Sequence, residues 1–487
     1  MHKPSGINTH RPDVFAPEGL YEWWQRRRGG TLSVVHRLDK GTSGVLVFGK
    51  TRAANQSLTR QFTEQRIQKE YLLISDRRPS GWVCHVRSPQ AETEFEWLAD
   101  LGGRHLIVAR PRTGKTHQVR RHAAQAGFPI LGDTEYGGAN APRLMLHAHR
   151  LTMQHPRAGE TVTWQASVPE AFEETDPWVA AREFRCLLFG DQTETDAYRL
   201  VNGEGDGLPD VVVDWWGGQA LVQWLSEPER PEYYDRLGAD IVYAQWATRR
   251  RRTEPWRVRG EPRECVVQEH GLHYRIRFDV GMSPGLFLDQ RENRWRLLRR
   301  VQPGQTVLNC FAYTCAFSVV AAKAGGIVTS VDLSRRYLDW GRENFERNQL
   351  SLDAHEFVIG DVMGTLQQGV RRGRQWDWVI LDPPTFSTTK TGRAFQAERD
   401  YGALVQNAAR CVRPGGWLIC STNQRSFPVE RFTQVIRDGV VAAGRRIAEE
   451  EFVTLPFDFR VAEKQEPYLK TWWVRLEIAC PVRLPSG

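Results

Sequence analysis

The sequence predicts a multidomain protein that combines α+β and α/β architecture. Three observations predict it. At 487 residues the chain is long enough for about three domains. From Thr306 onward strand-like runs alternate with helical ones, the pattern of a parallel sheet wound on both faces. Before that lie short strands separated by Gly-, Pro- and Asn-containing turns, and before those a first part in which strands and helices mix without regular order.

Composition narrows the function classes. Apolar residues make up 40% and charged residues 25%, the balance of a globular chain. There is neither an 18-residue apolar run nor a signal-type N-terminus, so the expectation is a cytoplasmic protein without a membrane partner. The formal net charge of +8 suits a polyanionic partner. Arginines cluster at Arg26 to Arg28, at Arg249 to Arg252, and at Arg371, Arg372 and Arg374. Each cluster reads equally as a nucleic-acid contact or as a solvated face. Eight cysteines carry no C-x-x-C pair and no zinc-type spacing, so neither a disulfide framework nor a metal is expected.

In the first part, residues 1–175, Lys3-Pro4-Ser5-Gly6 is turn chemistry almost at the start. His36-Arg37-Leu38-Asp39-Lys40-Gly41-Thr42-Ser43-Gly44 then sets a single Asp in a Gly- and Thr-rich turn before the apolar run Val45 to Phe48. Such an Asp either caps backbone or is a placed nucleophile. Ala53 to Gln65 carries helical spacing, and Lys69 to Ile74 alternates into a strand that places Tyr71 near its start. Arg112-Thr113-Gly114-Lys115-Thr116-His117-Gln118-Val119-Arg120-Arg121-His122 runs into an Ala-rich helix, followed by Leu131-Gly132-Asp133-Thr134-Glu135-Tyr136-Gly137 and by Leu146-His147-Ala148. His117 and His122 lie off a common metal-binding face and read as structural or RNA-facing.

These separated strings, in this order, resemble the motifs of the RluA-type pseudouridine synthases. The resemblance implies a mixed-sheet domain that turns uridine into pseudouridine without cofactor or metal. It makes Asp39 the nucleophile, sets Tyr71 against the target base with Lys69 beside it, pairs Arg120 with the catalytic carboxylate, and lets Arg37 fill the gap left by the flipped nucleotide. His117 is expected on the RNA. Two departures stand out: the usual Arg of the second signature is Lys115, and the chain starts abruptly, so that an opening strand is either missing or lies upstream.

Thr175 to Glu183 reads as a linker. The middle part, residues 186–280, opens with Arg199-Leu200-Val201-Asn202-Gly203-Glu204-Gly205-Asp206-Gly207-Leu208-Pro209 and continues in short strands at Val211 to Val213, Leu221 to Trp224, Val266 to Gln268 and Tyr274 to Phe278, a small β-rich module. The opening string resembles the module ahead of the catalytic domain in large-subunit rRNA methyltransferases, which implies a role in presenting RNA; simple packing is the other reading.

In the last part, residues 281–487, strands are expected at Thr306 to Cys310, Ile327 to Val331, Phe357 to Ile359, Trp378 to Leu381 and Gly415 to Ser421. Helices are expected at Ala316 to Ala324 and Arg335 to Asn348. Asp332, ending the second strand, is placed for ribose hydroxyls. Asp382-Pro383-Pro384-Thr385-Phe386-Ser387, with Phe287-Leu288-Asp289-Gln290-Arg291 and Asn309-Cys310-Phe311-Ala312-Tyr313-Thr314, resembles class I S-adenosylmethionine-dependent rRNA methyltransferases and implies a Rossmann-like, doubly wound domain. By that resemblance Asn309, Phe311, Tyr313 and Thr314 line the cofactor S-adenosyl-L-methionine. Asp332 holds its ribose, Asp361 its adenine amine, and Asp382 its methionine end or the target base. Gln290 and Arg291 are expected on RNA. The first-strand loop usually reads Y-T-G, but Cys315 and Ala316 follow Thr314 here. Thr422 stands where 5-methylcytosine enzymes carry a nucleophilic Cys, and Cys420 reads as a buried small hydrophobe. The combination of Asp382-Pro383-Pro384-Thr385-Phe386-Ser387, Ser421-x-Asn423-x-Arg425 and Arg336-Tyr337-Leu338-Asp339-Trp340 resembles the large-subunit N7-methylguanine type most closely.

Together the resemblances imply a bifunctional enzyme, a pseudouridine synthase fused to a methyltransferase of 23S rRNA. Two alternatives are an RNA-binding ribosome-assembly protein with one or both halves inactive, and a 5-methylcytosine rRNA methyltransferase. A nicotinamide-dependent oxidoreductase is set aside, because no G-x-G-x-x-G loop follows the Thr306 strand.

Overall fold

The computed structural model describes residues 1–190, 194–248, 250–384, 386–388, 394–462 and 465–477. Arg249 and Thr385, singled out above, lie outside the described residues. The chain divides into two compact units, Met1–Gly190 with Leu200–Pro209, and Asp191–Arg199 with Asp210–Gly487. Among the described residues no helix is long and apolar enough to cross a membrane, and no group of three or more His, Cys, Asp or Glu could hold a metal ion.

The first unit is built on a mixed sheet. Its strands run in the order His2–Lys3, Ser43–Val45, Leu146–Gln154, Gln68–Ser75, His105–Pro111, Ala91–Asp100 and Val83–Ser88, with Thr161–Gln165 paired antiparallel to Leu146–Gln154 off this path. Only Ser43–Val45 and Leu146–Gln154 pair in parallel. Gly44 makes that pairing possible: its φ is +118°, and a Cβ would stand 2.2 Å from the Ala148 carbonyl oxygen. Alternate residues such as Leu73, Ile107 and Phe95 bury one face against Val119 and Ala123 of the helix Gln118–Gln125. Leu58 of the helix Arg52–Thr63 packs with Val45, Leu151 and Met153.

The expected linker at Thr175 to Glu183 is instead part of a helix, Pro177–Phe189. Asp176 caps it by accepting from the Trp178 N–H at 2.7 Å, and Pro177 opens it. That is helix-start chemistry which the weak apolar periodicity concealed. Arg185 on this helix makes two 2.7 Å bonds to the carboxylate of Asp206, both side chains being buried. The Asp of the middle string therefore serves a structural pair.

In the second unit the strands Val211–Trp216, Gln219–Trp224, Ile241–Trp246 and Trp256–Arg259 pair in that order, and Cys265–Glu269 forms a hairpin with Leu272–Ile276. The largest sheet of this unit has seven strands: β1 Thr306–Cys310, β2 Ile327–Asp332, β3 Glu356–Ile359, β4 Trp376–Leu381, β5 Val412–Thr422, β6 Ile447–Val453 and β7 Lys470–Leu476. Their order is β3-β2-β1-β4-β5-β7-β6, with β7 antiparallel between β5 and β6 and the first five parallel. Each expected strand and helix of this sheet is present within three residues. The register puts Cys310 opposite Val331 and Leu381, so Phe311, Asp332 and Asp382 emerge at one edge. That edge, at the carboxyl ends of parallel strands, is where such sheets bind ligands.

Candidate active sites

In the first unit the turn that carries Asp39 is held from behind. Lys3 is fully buried and donates to the carbonyls of Pro4 (3.0 Å), Ile7 (2.7 Å) and Lys40 (3.1 Å). Thr9 accepts from the Leu38 N–H and donates to the Leu38 carbonyl, and Ser5 donates to the Gly41 carbonyl. His36 accepts from the Val47 N–H at 3.0 Å and stacks on Phe62; burial pushes its imidazole down to about 3, so it is neutral and structural. The result is a fixed loop with Asp39 half-exposed and Arg37 exposed at its tip. The turn chemistry at Lys3 to Gly6 was visible in the sequence, but the strap it forms over residues 38–41 was not.

Tyr71 faces this loop from Gln68–Ser75, at a register shift between Glu70 and Tyr71 in the pairing with Leu146–Gln154. Such an irregularity re-aims a side chain. Burial, then the nearby Asp39 charge, holds the Tyr71 phenol well above its ordinary range, so it stays protonated. Lys69 donates to the Thr113 carbonyl at 3.0 Å, and its ammonium is lowered by burial.

Arg120 does not pair with Asp39. Its Nε and Nη2 bond Asp133 at 2.7 Å each, and Nη2 also bonds Glu135 at 2.8 Å. The expected pairing is corrected accordingly: two carboxylates within fifteen residues of Arg120 take its donors. His117, just before the helix that carries Arg120, comes close to Asp39 instead. Its Nε2 lies 4.0 Å from Asp39 Oδ1, and its Nδ1 is 3.0 Å from the Tyr136 hydroxyl. His122, by contrast, is buried on Thr93 and Ser88.

In the second unit the loop after β1 is strained. Phe311, Tyr313 and Cys315 have φ of +59°, +49° and +62°. Left-handed backbone costs a non-Gly residue about 1–2 kcal/mol, and such strain persists where the surroundings over-determine it. Here they do so densely: Tyr313 N–H donates to Asp332 Oδ2 (2.9 Å), Tyr313 OH to the Ser283 carbonyl (3.0 Å), Thr314 OH to the Gly285 carbonyl, and Asn344 to the Thr314 carbonyl (3.0 Å). Cys315 thus adopts the conformation for which the usual Gly is suited. Gly341 makes room for its side chain, since a Cβ there would stand 2.4 Å from Cys315 Sγ.

Asp332 accepts from Tyr313 and Ser334 N–H, one on each oxygen, leaving lone pairs for hydroxyl donors. Asp361 caps the helix Val362–Arg371, accepting from the Gly364 N–H at 2.7 Å. Asp382 accepts from Gln290 Nε2 at 3.0 Å; burial, and then the charge of Asp289, pushes its carboxyl up to about 7. Asp289 itself is held by the Tyr468 hydroxyl at 2.9 Å. This acid set at the strand ends, with the half-exposed ring of Phe287 against Tyr313 at 5.2 Å, fits an adenosine ribose and a charged sulfonium group.

Several expected site residues are buried elsewhere. Arg291 is paired with Asp458, and Gln290 is enclosed between Asp382 and Asn293, so neither presents a surface to RNA. The polar run Gln290 to Arg294 is an interior network, in which Arg294 makes two bonds to Glu269. Asn309, next to the last residue of β1, bonds Ser318 at 2.9 Å in the interior and braces β1 against the following helix. Cys420 is fully buried, with its thiol pushed up by burial.

Comparison with known proteins matches each part of the chain to a family. Residues 1–125 match the RNA pseudouridylate synthase family, and residues 198–434 match the S-adenosylmethionine-dependent methyltransferase family. YwbD of Bacillus subtilis, named as a ribosomal RNA large subunit methyltransferase, is 34% identical over 307 residues, covering 60% of this chain and 77% of that one. The chain belongs to the ribosomal RNA large subunit methyltransferase family. Ribosomal RNA large subunit methyltransferase I of Klebsiella pneumoniae is another member, 30% identical over 71% of this chain and 85% of its own. The crystal structure of the methyltransferase SMU.776, complexed with SAH, superposes with a TM-score of 0.55 at 26% identity over 66% of this chain and 86% of that one. This family member carries a pseudouridine synthase domain at its N-terminus. It is a bifunctional RNA-modifying enzyme, and S-adenosylmethionine is the cofactor of its methyltransferase part.

Proposed function

We propose that the chain isomerises a uridine and methylates guanine N7 in 23S rRNA, in the cytoplasm, with the synthase in residues 1–175, an RNA-presenting module in 186–280 and the methyltransferase in 281–487. In the synthase part Asp39 attacks the target nucleotide. Its carboxylate bonds C1′ as the N1–C1′ bond breaks, the freed base turns, C5 bonds C1′ and expels the Asp39 carboxylate, the C5 proton leaves and N1 gains one, so the composition is unchanged. Tyr71, kept protonated, stacks on the base and shields it, while the exposed Arg37 fills the space the nucleotide vacates. Arg120 shapes the pocket through Asp133 and Glu135.

When bound, S-adenosylmethionine supplies the methyl group as an electrophile. Asp332 would hold its ribose and Asp361 its adenine amine, with Phe311, Tyr313 and Thr314 forming the cradle. Asp382 would orient the methionine end or the target, its negative charge favouring the cation formed at guanine N7. The observation that carries the N7 reading is the burial of Cys420 with its thiol held protonated, beside Thr422 at the nucleophile's place. A 5-methylcytosine mechanism needs an accessible thiolate, whereas a ring nitrogen needs only alignment with the methyl group.

Mass spectrometry of nucleosides from unmodified rRNA incubated with the protein, with and without S-adenosylmethionine, tests both halves. Pseudouridine that disappears only in Asp39→Ala, and 7-methylguanine that disappears only in Asp382→Ala, is the expected result. Appearance of 5-methylcytosine instead would overturn the N7 reading, and absence of both products would overturn the enzymatic one.

A further inference from the structure

We propose that His117 is a positioning residue for the synthase nucleophile, holding the Asp39 carboxylate through its Nε2, and is not an RNA contact. The proposal rests on the reading of Asp39 as that nucleophile. It starts from backbone: His117 sits at φ +54° and ψ +21°, left-handed, immediately before the helix Gln118–Gln125. A non-Gly residue pays for that conformation in free energy, and here the conformation turns the ring back over the Asp39 loop. The helix is anchored behind it, since Gln118 donates to the Glu92 carbonyl (2.9 Å) and accepts from Thr113 (2.6 Å).

The two ring nitrogens face different partners. On one side Nδ1 is 3.0 Å from the Tyr136 hydroxyl and 3.6 Å from Glu135 Oε1. On the other, Nε2 is 4.0 Å from Asp39 Oδ1. In the charged ring both nitrogens carry protons, with Nδ1–H toward the Tyr136 hydroxyl and Glu135 and Nε2–H aimed at the Asp39 carboxylate. Tyr136 is itself fixed: the Arg120 guanidinium lies 4.9 Å over its ring, and Arg120 bonds Glu135 and Asp133. Arg120 therefore reaches the nucleophile through Tyr136 and His117. A carboxylate that must attack in one direction gains from a partner on the oxygen that does not react, because orientation counts heavily in the rate.

The left-handed backbone also supplies a clean test in the full-length protein. His117→Gly removes the ring at a position whose φ glycine prefers, so the fold is not compromised. His117→Gln restores a side-chain N–H on a flexible stem. Single-turnover pseudouridine formation on unmodified rRNA gives the rate at saturating protein and the half-saturating concentration separately. For His117→Gly we expect the saturating rate to fall about tenfold to a hundredfold, with half-saturation changed less than about twofold and an unchanged or higher melting temperature. His117→Gln should recover part of the lost rate. A wild-type rate in His117→Gly, or a loss confined to half-saturation, would overturn the proposal, the latter returning His117 to an RNA contact. Asp39→Asn separates the two readings: if it keeps wild-type activity, the nucleophile reading fails and the proposal with it. If it is inactive while His117→Gly is unimpaired, only the proposal fails.

Discussion

Replacing Asp382 by Asn should make the methyltransferase unit more stable while abolishing methyl transfer, and the gain should grow with pH. The carboxyl is pushed from its ordinary 3.8 to about 7 by burial and by Asp289. An acid whose folded pKa is raised binds more protons in the native than in the unfolded state between those values, so stability falls as pH rises through that window. Near pH 5 the buried group is protonated and only part of the cost is felt. Above pH 7 it is ionised in the interior, at a cost of about 4 kcal/mol from roughly three pKa units at 1.36 kcal/mol each. Asn has the same shape, can still accept from Gln290, and does not titrate. The advantage of Asp382→Asn in urea unfolding of the cofactor-free protein should therefore widen by about 2–3 kcal/mol between pH 5 and pH 8. A pH-independent difference, or a variant less stable than wild type at pH 8, would refute the reasoning. Asp382 would then be an ordinary solvated carboxylate and its placement at the strand edge would need another explanation.

Three further outcomes are expected. Asp206→Ala leaves the buried Arg185 guanidinium without its bidentate partner and should destabilise the first unit by about 3–5 kcal/mol in urea unfolding; a loss below about 1 kcal/mol would mean the pair is solvated. Gly341→Ala sets a Cβ against Cys315 Sγ and should cost about 1–3 kcal/mol. Cys315→Gly removes the obstacle and the left-handed strain together, so the double variant should recover about 1–2 kcal/mol; simple additivity in the double-mutant cycle would dismiss the pairing. Asp332→Ala removes the acceptor that organises Tyr313 and Ser334, and calorimetric titration with S-adenosylmethionine should show affinity weakened about tenfold to a hundredfold; unchanged affinity would place the ribose elsewhere.

Much of this protein was legible in its residues alone. The strand and helix alternation from Thr306 onward, the helix after Arg52 and the strand carrying Tyr71 follow from periodicity and turn chemistry, which act over a few residues and therefore leave local marks. The acids at the strand ends were legible for the same reason, because a side chain just after a parallel strand has one place to be. Partner choice was another matter. Arg120 could have met Asp39 or Asp133, and only the folded chain brings Asp133 and Glu135 onto its donors and sets His117 Nε2 4.0 Å from Asp39. Gln290 and Arg291 were expected on RNA, yet Arg291 finds Asp458 across 167 residues and the neighbouring Arg294 finds Glu269, so that these polar side chains become interior. The left-handed Cys315 is tolerated because Gly341 lies against it, a compensation between different elements. Burial and ion pairing depend on distances set by the whole packed chain, and a linear pattern carries no record of which distant group will arrive.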